Sequence, residues 1–158
     1  MKKILVLISR EQDSGLTQKG QALLQDFRTS YALRFASMQE TPGFVAELVT
    51  EFQKQGGQLV ICVVAAGDPL AAQVSALCHL PILLVTLDEV SSMNSQTAGV
   101  PVAWMGAGEG GFQNAAMIAL QILGGTDQTL AQDLYRYRQS LGALLLETDR
   151  KHRVMFDA

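Results

Sequence analysis

Short apolar runs that alternate with amphipathic stretches restrict the fold of this sequence more than any other feature. Residues 3–8 (KILVLI) and 59–64 (LVICVV) are apolar almost throughout, which is typical of strands that are covered on both faces of a sheet. Three further strands are predicted, at residues 31–35, 82–86 and 102–105. Stretches with an apolar face at helical spacing separate the strands, at residues 14–28, 41–55, 69–77 and 110–123.

The order of these elements predicts an α/β domain. Strands that alternate with helices form a parallel sheet with helices on both faces, joined by right-handed crossovers. We therefore expect a three-layer αβα sandwich around a five-stranded parallel sheet, in a domain of residues 1–147 followed by a C-terminal tail of residues 148–158. Ligands of such sheets bind at the carboxyl ends of the strands. Those ends fall at residues 9–13, 37–41, 65–70, 86–99 and 106–111.

The composition excludes several classes of partner. Twelve basic and fifteen acidic residues give a net charge of −3, so nothing indicates a nucleic-acid partner or binding to an anionic membrane. No apolar run approaches the roughly 20 residues that span a bilayer, and the N-terminus lacks the pattern of a secretory signal. We interpret Cys62 as a reduced core thiol and Cys78 as a structural residue, which favours a cytoplasmic location.

A final helix is predicted at residues 127–146, after the sheet is already covered. Its apolar stripe comprises Leu130, Leu134, Tyr137, Leu141, Leu144 and Leu145. Apolar stripes outside a finished core often mark contacts. This helix is therefore expected to pack either on its own domain or on a neighbouring subunit.

The segment of residues 99–123, GVPVAWMGAGEGGFQNAAMIALQIL, resembles the last strand, the Gly-rich turn and the N-A-A helix of the PurE family. These enzymes are aminoimidazole ribonucleotide carboxylases and N5-carboxyaminoimidazole ribonucleotide mutases, and the resemblance extends over residues 4–145. It implies a flavodoxin-like fold and a homo-oligomer, an octamer in this family, whose final helix crosses to a neighbouring subunit. It also implies a role related to this step of purine biosynthesis, with a nucleotide-like or other small molecule as ligand and no cofactor or metal ion.

The family's first ligand loop, roughly G-S-x-S-D, holds the ribose phosphate end of the nucleotide. It falls here on Ser9, Arg10, Glu11, Gln12 and Asp13, of which only Asp13 matches. Both loop serines are replaced, and Glu11 adds a negative charge near the expected phosphate, where like charges repel. Arg10 would compensate if it turned inward. Asp13 has two interpretations, an acceptor for ribose hydroxyls or a helix N-cap.

The second and third loops also depart from the family pattern. The second loop, S-A-H-R-T-P, falls on residues 37–42, so that Gln39 stands at the histidine and Glu40 at the phosphate-binding arginine. The third loop, G-A-G-G-A-A-H-L-P, falls on residues 63–71, and its histidine becomes Pro69. Glutamine cannot act as a general acid or base near neutral pH. We therefore assign no catalytic residue and do not expect the standard mutase reaction.

The resemblance leaves two classes of function open, an enzyme acting on an aminoimidazole ribonucleotide or a related small molecule, and a non-catalytic binding or scaffold protein. By family position, the candidate ligand-binding residues are Ser9, Arg10, Gln12, Asp13, Ser37, Gln39, Glu40, Gly67 and Leu70. Four carboxylates either hold a cation through oxygen ligands or form a solvated rim: those of Glu11, Asp13, Glu40 and Asp68. The loop of residues 88–99 matches the family's closing segment by position, and its candidate pocket residues are Ser91, Ser92, Asn94 and Ser95. We expect the Trp104 ring in the core.

Overall fold

Five parallel strands form one sheet in the computed structural model, which describes residues 2–89 and 98–154. The strands are β1 (Ile4–Ile8), β2 (Tyr31–Phe35), β3 (Leu59–Val64), β4 (Ile82–Thr86) and β5 (Ala103–Ala107). They lie in the order β2-β1-β3-β4-β5, and all neighbours are parallel. The predicted five-stranded parallel sheet is therefore confirmed, although β5 ends at Ala107 rather than at Met105.

The helices follow the strands in the predicted order, with different boundaries. They are a 3-10 helix (Glu11–Thr17), α1 (Gln18–Asp26), α2 (Pro42–Lys54), α3 (Leu70–Leu77), α4 (Gly108–Gly124) and α5 (Gln128–His152). The helix predicted at residues 14–28 thus begins as a 3-10 helix and ends at Asp26. Residues 148–152, predicted as part of the tail, continue α5. Basic residues in its last turn suit this extension, because cations stabilise the C-terminal end of a helix.

The two central strands are the most deeply buried part of the sheet. Every residue of β1 and β3 is buried. Ile4 of β1 aligns with Tyr31 of β2 on one side and with Leu59 of β3 on the other. The chain passes from β1 to β2 and then returns across β1 to β3, so the winding direction reverses between β1 and β3. In open α/β sheets the ligand crevice lies at such a switch point.

Helices cover the sheet on both faces. On one face, Cys62 of β3 belongs to an apolar cluster with Val49 of α2 and Val74 of α3. The predicted core position of Cys62 is thereby confirmed. Elsewhere in the domain, α1 packs closely against α4: Gly20 lies against the fully buried ring of Phe112, and no side chain larger than hydrogen fits between them.

Trp104 is not a core residue, contrary to the sequence prediction. It lies on the edge strand β5, and 39% of its surface is exposed. Its indole Nε1 donates a hydrogen bond of 3.2 Å to Thr86 Oγ1, which in turn donates to the backbone oxygen of Asp88 at 2.8 Å. An edge strand is covered less completely than a central strand, which explains why an apolar residue at this position stays half exposed.

The chain divides into two compact units, residues 1–120 and 121–158. In the second unit, the Asp127 carboxylate accepts a hydrogen bond of 3.1 Å from the Leu130 backbone N–H and caps α5. Leu130 and Leu134 are buried, whereas every described residue from position 138 onward is exposed. The apolar stripe predicted for this helix therefore continues into its exposed half. Within the described ranges, no helix is both long and apolar enough to cross a membrane.

Candidate functional site

The loop after β1 begins at the switch point of the sheet. The Ser9 backbone N–H donates to the Val63 oxygen at 3.1 Å and so ties the end of β1 to β3. The Ser9 Oγ is buried and has no hydrogen-bond partner among the described residues. An unsatisfied buried hydroxyl costs about 1–3 kcal/mol. This atom is therefore a candidate partner for a polar group of a ligand.

Arg10 and Asp13 form an ion pair within the same loop. Arg10 Nε lies 2.8 Å from Asp13 Oδ2, and Arg10 Nη2 donates to Asp13 Oδ1 at 3.4 Å. The Asp13 side chain is only 12% exposed, against 48% for Arg10. The N-cap interpretation of Asp13 is wrong, because Asp13 lies inside the 3-10 helix that Arg10 precedes. Two-point pairing with the guanidinium occupies both oxygens of Asp13.

A one-way series of hydrogen bonds supports the 3-10 helix that carries Gln12 and Asp13. Gln25 Nε2 donates to Tyr31 Oη at 3.1 Å, and Tyr31 Oη donates to Gln21 Oε1 at 2.9 Å. Gln21 Nε2 then donates to Thr17 Oγ1 at 2.7 Å, and Thr17 Oγ1 donates to the Ser14 backbone oxygen at 2.6 Å. Thr17 is fully buried. The series connects the start of β2 to the first candidate loop.

The second candidate loop is closed on itself. Ser37 Oγ accepts hydrogen bonds from the backbone N–H groups of Gln39 and Glu40, at 3.2 and 3.4 Å. Thr41 Oγ1 donates to the Ser37 backbone oxygen at 3.0 Å and accepts from the Ser37 N–H at 3.2 Å. The Ser37 oxygen therefore shapes the loop, while Gln39 and Glu40 are exposed. Thr41 precedes Pro42 at the start of α2, but its side chain does not cap the helix.

The third loop turns at Gly67, whose φ of +83° favours glycine. Asp68 Oδ1 accepts a hydrogen bond of 2.9 Å from the Leu70 backbone N–H and so begins α3. The Leu70 side chain is fully buried in the core. Of the two candidate ligand residues in this loop, Leu70 is thus a packing residue through its side chain, while Gly67 is exposed.

Titratable side chains of the described residues form no metal-binding group at the site, and the two thiols lie in the core. In the ranges that the structure describes, no three His, Cys, Asp or Glu side chains are grouped so that they could hold a metal ion. The cation interpretation of the four loop carboxylates therefore gains no support. Burial raises the pKa of the Cys62 thiol, with smaller contributions from Cys78 and Asp68, and burial likewise raises the pKa of Cys78. Both thiols are thus held neutral.

The structure brings the first three loops to one edge of the sheet, as the sequence predicts. The candidate residues Ser91, Ser92, Asn94 and Ser95 lie outside the described residues. Sequence reasoning missed the supporting series through Thr17, Gln21 and Tyr31. Apolar periodicity does not reveal these side-chain bonds, and the bond from Tyr31 to Gln21 joins residues ten positions apart on different elements.

Comparison with known proteins gives matches over nearly the whole chain. The family described as AIR carboxylase matches residues 3–143. The N5-carboxyaminoimidazole ribonucleotide mutase of Methanocaldococcus jannaschii is 28% identical over 160 residues, covering 97% of this chain and 99% of that protein. The mutase of the same name from Saccharolobus solfataricus is 28% identical over 156 residues, covering 94% and 98%.

A solved structure matches the fold just described. The crystal structure of Treponema denticola PurE has a TM-score of 0.84 to this chain at 20% sequence identity, and the match covers 96% of this chain and 98% of that one. This likeness confirms the flavodoxin-like arrangement of sheet and helices. Since the family match spans β1 through most of α5, the chain belongs to the AIR carboxylase family, also called the PurE family.

Proposed function

We propose that this protein binds a small molecule related to the purine precursors at the carboxyl ends of β1, β2 and β3, and that it does not carry out the standard mutase reaction. The observation that carries the proposal is the chemistry of two positions. Gln39 and Pro69 stand where the family resemblance places histidines. Neither side chain holds an exchangeable proton that titrates near neutral pH, and general acid–base catalysis needs such a group.

Neither histidine of the chain belongs to the candidate loops. The chain has two, His79 and His152. His79 follows α3, near the amino end of β4 and so at the opposite edge of the sheet from the candidate loops, and its backbone N–H donates to Gln53 Oε1 at 2.8 Å. His152 is the last residue of α5 and is exposed. The three candidate loops therefore contain no histidine that could replace the family's proton carriers.

The direct test incubates the purified protein with N5-carboxyaminoimidazole ribonucleotide and measures its conversion to the isomer that the mutase reaction forms. We expect no turnover above the uncatalysed rate. Turnover in the range of roughly 1–1,000 per second, as is typical of enzymes, would show that the proposal is wrong.

A gain-of-function variant tests the same idea from the other side. Gln39→His combined with Glu40→Arg restores a titratable ring and a cation on an exposed loop. We expect this double variant to bind the nucleotide measurably better than wild type. Gln139→His is the matched control, because Gln139 is exposed on α5 and lies outside the candidate loops. Equal binding by all three proteins would mean that the loops do not form the ligand site.

A homo-oligomer, an octamer by family resemblance, is the proposed state in which the protein acts. The specific observation is the exposed half of α5, where Leu141, Leu144 and Leu145 are 49%, 62% and 70% exposed. Such a stripe is typical of a contact surface. Light scattering on the wild type should give eight times the chain mass, and Leu141→Lys with Leu145→Lys should reduce it. Leu146→Lys, on another side of the helix, should not, and a monomeric wild type would refute the assembly.

A further inference from the structure

The loops at the carboxyl ends of the strands carry an unbalanced set of charges. Residues 9–17, 36–41, 65–69, 87–89, 98–102 and 108–111 contain a single basic residue, Arg10. The same segments contain seven acidic residues: Glu11, Asp13, Glu40, Asp68, Asp88, Glu89 and Glu109. Any ligand at this edge of the sheet therefore meets mainly negative charge.

Three cationic side chains among the described residues near this edge already have partners. The Arg10 guanidinium contacts both oxygens of Asp13, at 2.8 and 3.4 Å. Lys19 Nζ lies 2.6 Å from Glu109 Oε1. Arg34, near the end of β2, places its guanidinium carbon 5.2 Å from the centre of the Phe44 ring on α2, a distance typical of a cation–π contact. A phosphate would have to compete with these partners.

Neutral hydrogen-bonding groups remain at the same place. Ser9 Oγ is buried without a partner among the described residues, at the switch point between β1 and β3. The amide side chains of Gln12 and Gln39 are exposed on the first and second loops. Hydroxyls and amides bind uncharged hydroxyl or ring-nitrogen groups without a charge requirement.

From this arrangement we infer that the ligand of this site carries no phosphate group and is a neutral or cationic molecule of nucleoside size. The inference rests on the proposed function, because it names the class of ligand for that same site. Arg10 is its specificity-determining residue: because Arg10 is paired with Asp13, no basic side chain in the described parts of these loops is left unpaired for a dianion. Repulsion from the remaining carboxylates acts over several ångströms and is reduced by salt.

The test compares two ligands that differ by one group, an aminoimidazole ribonucleoside and its 5′-monophosphate, by isothermal titration calorimetry on the full chain. We expect the nucleoside to bind at least tenfold more tightly at low salt, and the difference to narrow at high salt. Tighter binding of the monophosphate would overturn the inference, and so would the absence of binding by both. Neither result depends on turnover, so this outcome is separate from that of the mutase assay.

Substitutions in the first two loops test which charges cause the preference for the nucleoside over the monophosphate. Asp13→Asn releases the Arg10 guanidinium, and we expect it to raise the affinity for the monophosphate about tenfold without raising that for the nucleoside. Asp133→Asn is the matched control, since Asp133 forms an exposed ion pair of the same spacing with Arg136 on α5, at 3.1 Å. Glu40→Gln is a second variant. Because Glu40 is exposed on the second loop, this substitution leaves the Asp13 carboxylate in place, and it should raise the affinity for the monophosphate a few-fold. Unchanged affinities in both loop variants would refute the role of charge.

Discussion

Gly20→Ala should destabilise the protein through a collision between two helices. A Cβ at Gly20 would lie 2.7 Å from Phe112 Cε1 and 3.1 Å from the Phe112 backbone oxygen, and closer still to Cδ1. Because Phe112 is fully buried, its ring has no open space to move into. The helices must separate or the ring must leave its rotamer, and overpacking of this kind costs about 1–3 kcal/mol.

The helix propensity of alanine acts in the opposite direction. Replacing glycine by alanine inside a helix stabilises by about 1 kcal/mol. Taking the upper end of the overpacking cost, because one clashing atom is backbone, we expect a net loss of about 2 kcal/mol in the free energy of unfolding. For a chain of this length, that corresponds to a fall in Tm of about 4–8 °C.

Urea unfolding followed by circular dichroism measures this change, and Gly43→Ala is the matched control. Gly43 is also helical, in α2, but nothing lies within 4 Å of a Cβ built there. That variant should be as stable as wild type or more stable by up to about 1 kcal/mol. If Gly20→Ala were as stable as Gly43→Ala, the close packing of α1 on α4 would be refuted.

Three further predictions follow from buried groups. Thr17→Val should lower the free energy of unfolding by about 1–2 kcal/mol, because its hydroxyl links Gln21 to Ser14, and Thr17→Ser should retain most of the link; hydrogen exchange of residues 10–17 should quicken only in the valine variant. Leu70→Ala should lower the free energy of unfolding, measured with urea, by about 2–5 kcal/mol, since the side chain fills the core. An unchanged free energy of unfolding would contradict the packing role of Leu70 and favour its role as a ligand residue. Stability should fall as pH rises above about 8.5, where the unfolded Cys62 and Cys78 thiols ionise while burial in the folded protein raises their pKa and keeps them protonated, with a slope of at most about 1.4 kcal/mol per pH unit for each thiol. Cys62→Ala should reduce that slope and leave only the contribution of Cys78, and an unchanged slope would contradict the assignment.

The sheet could be predicted from sequence because its central strands are apolar on both faces. β3 is recognisable from LVICVV alone, and its neighbours follow from the alternation with helices. Trp104 was mispredicted because periodicity shows that a residue is apolar but not whether a helix covers it. α5 extends beyond its predicted end because Glu147, Arg150 and Lys151 have high helix propensity, which outweighs their polarity.

The position of the candidate site was predictable, but its internal contacts were not. Parallel strands bring their carboxyl ends to one edge, so the three loops meet whatever their side chains are. The pairing of Arg10 with Asp13 depends on the 3-10 conformation of the loop, where residues three apart lie on the same side. The sequence predicted an α-helix beginning only at Ser14, and the pairing therefore went unseen.

The two buried thiols give this protein an internal reporter of opening. Cys62 of β3 belongs to an apolar cluster with residues of α2 and α3, and Cys78, directly after α3, belongs to the same cluster. Their exposures are 0% and 7%, and neither forms a disulfide. Because Cys62 has no exposed surface, a thiol reagent in solution can modify it only when these helices separate from the sheet. The rate of alkylation under native conditions thus reports how often α2 and α3 separate from the sheet. A ligand that binds the strand-end loops should lower this rate.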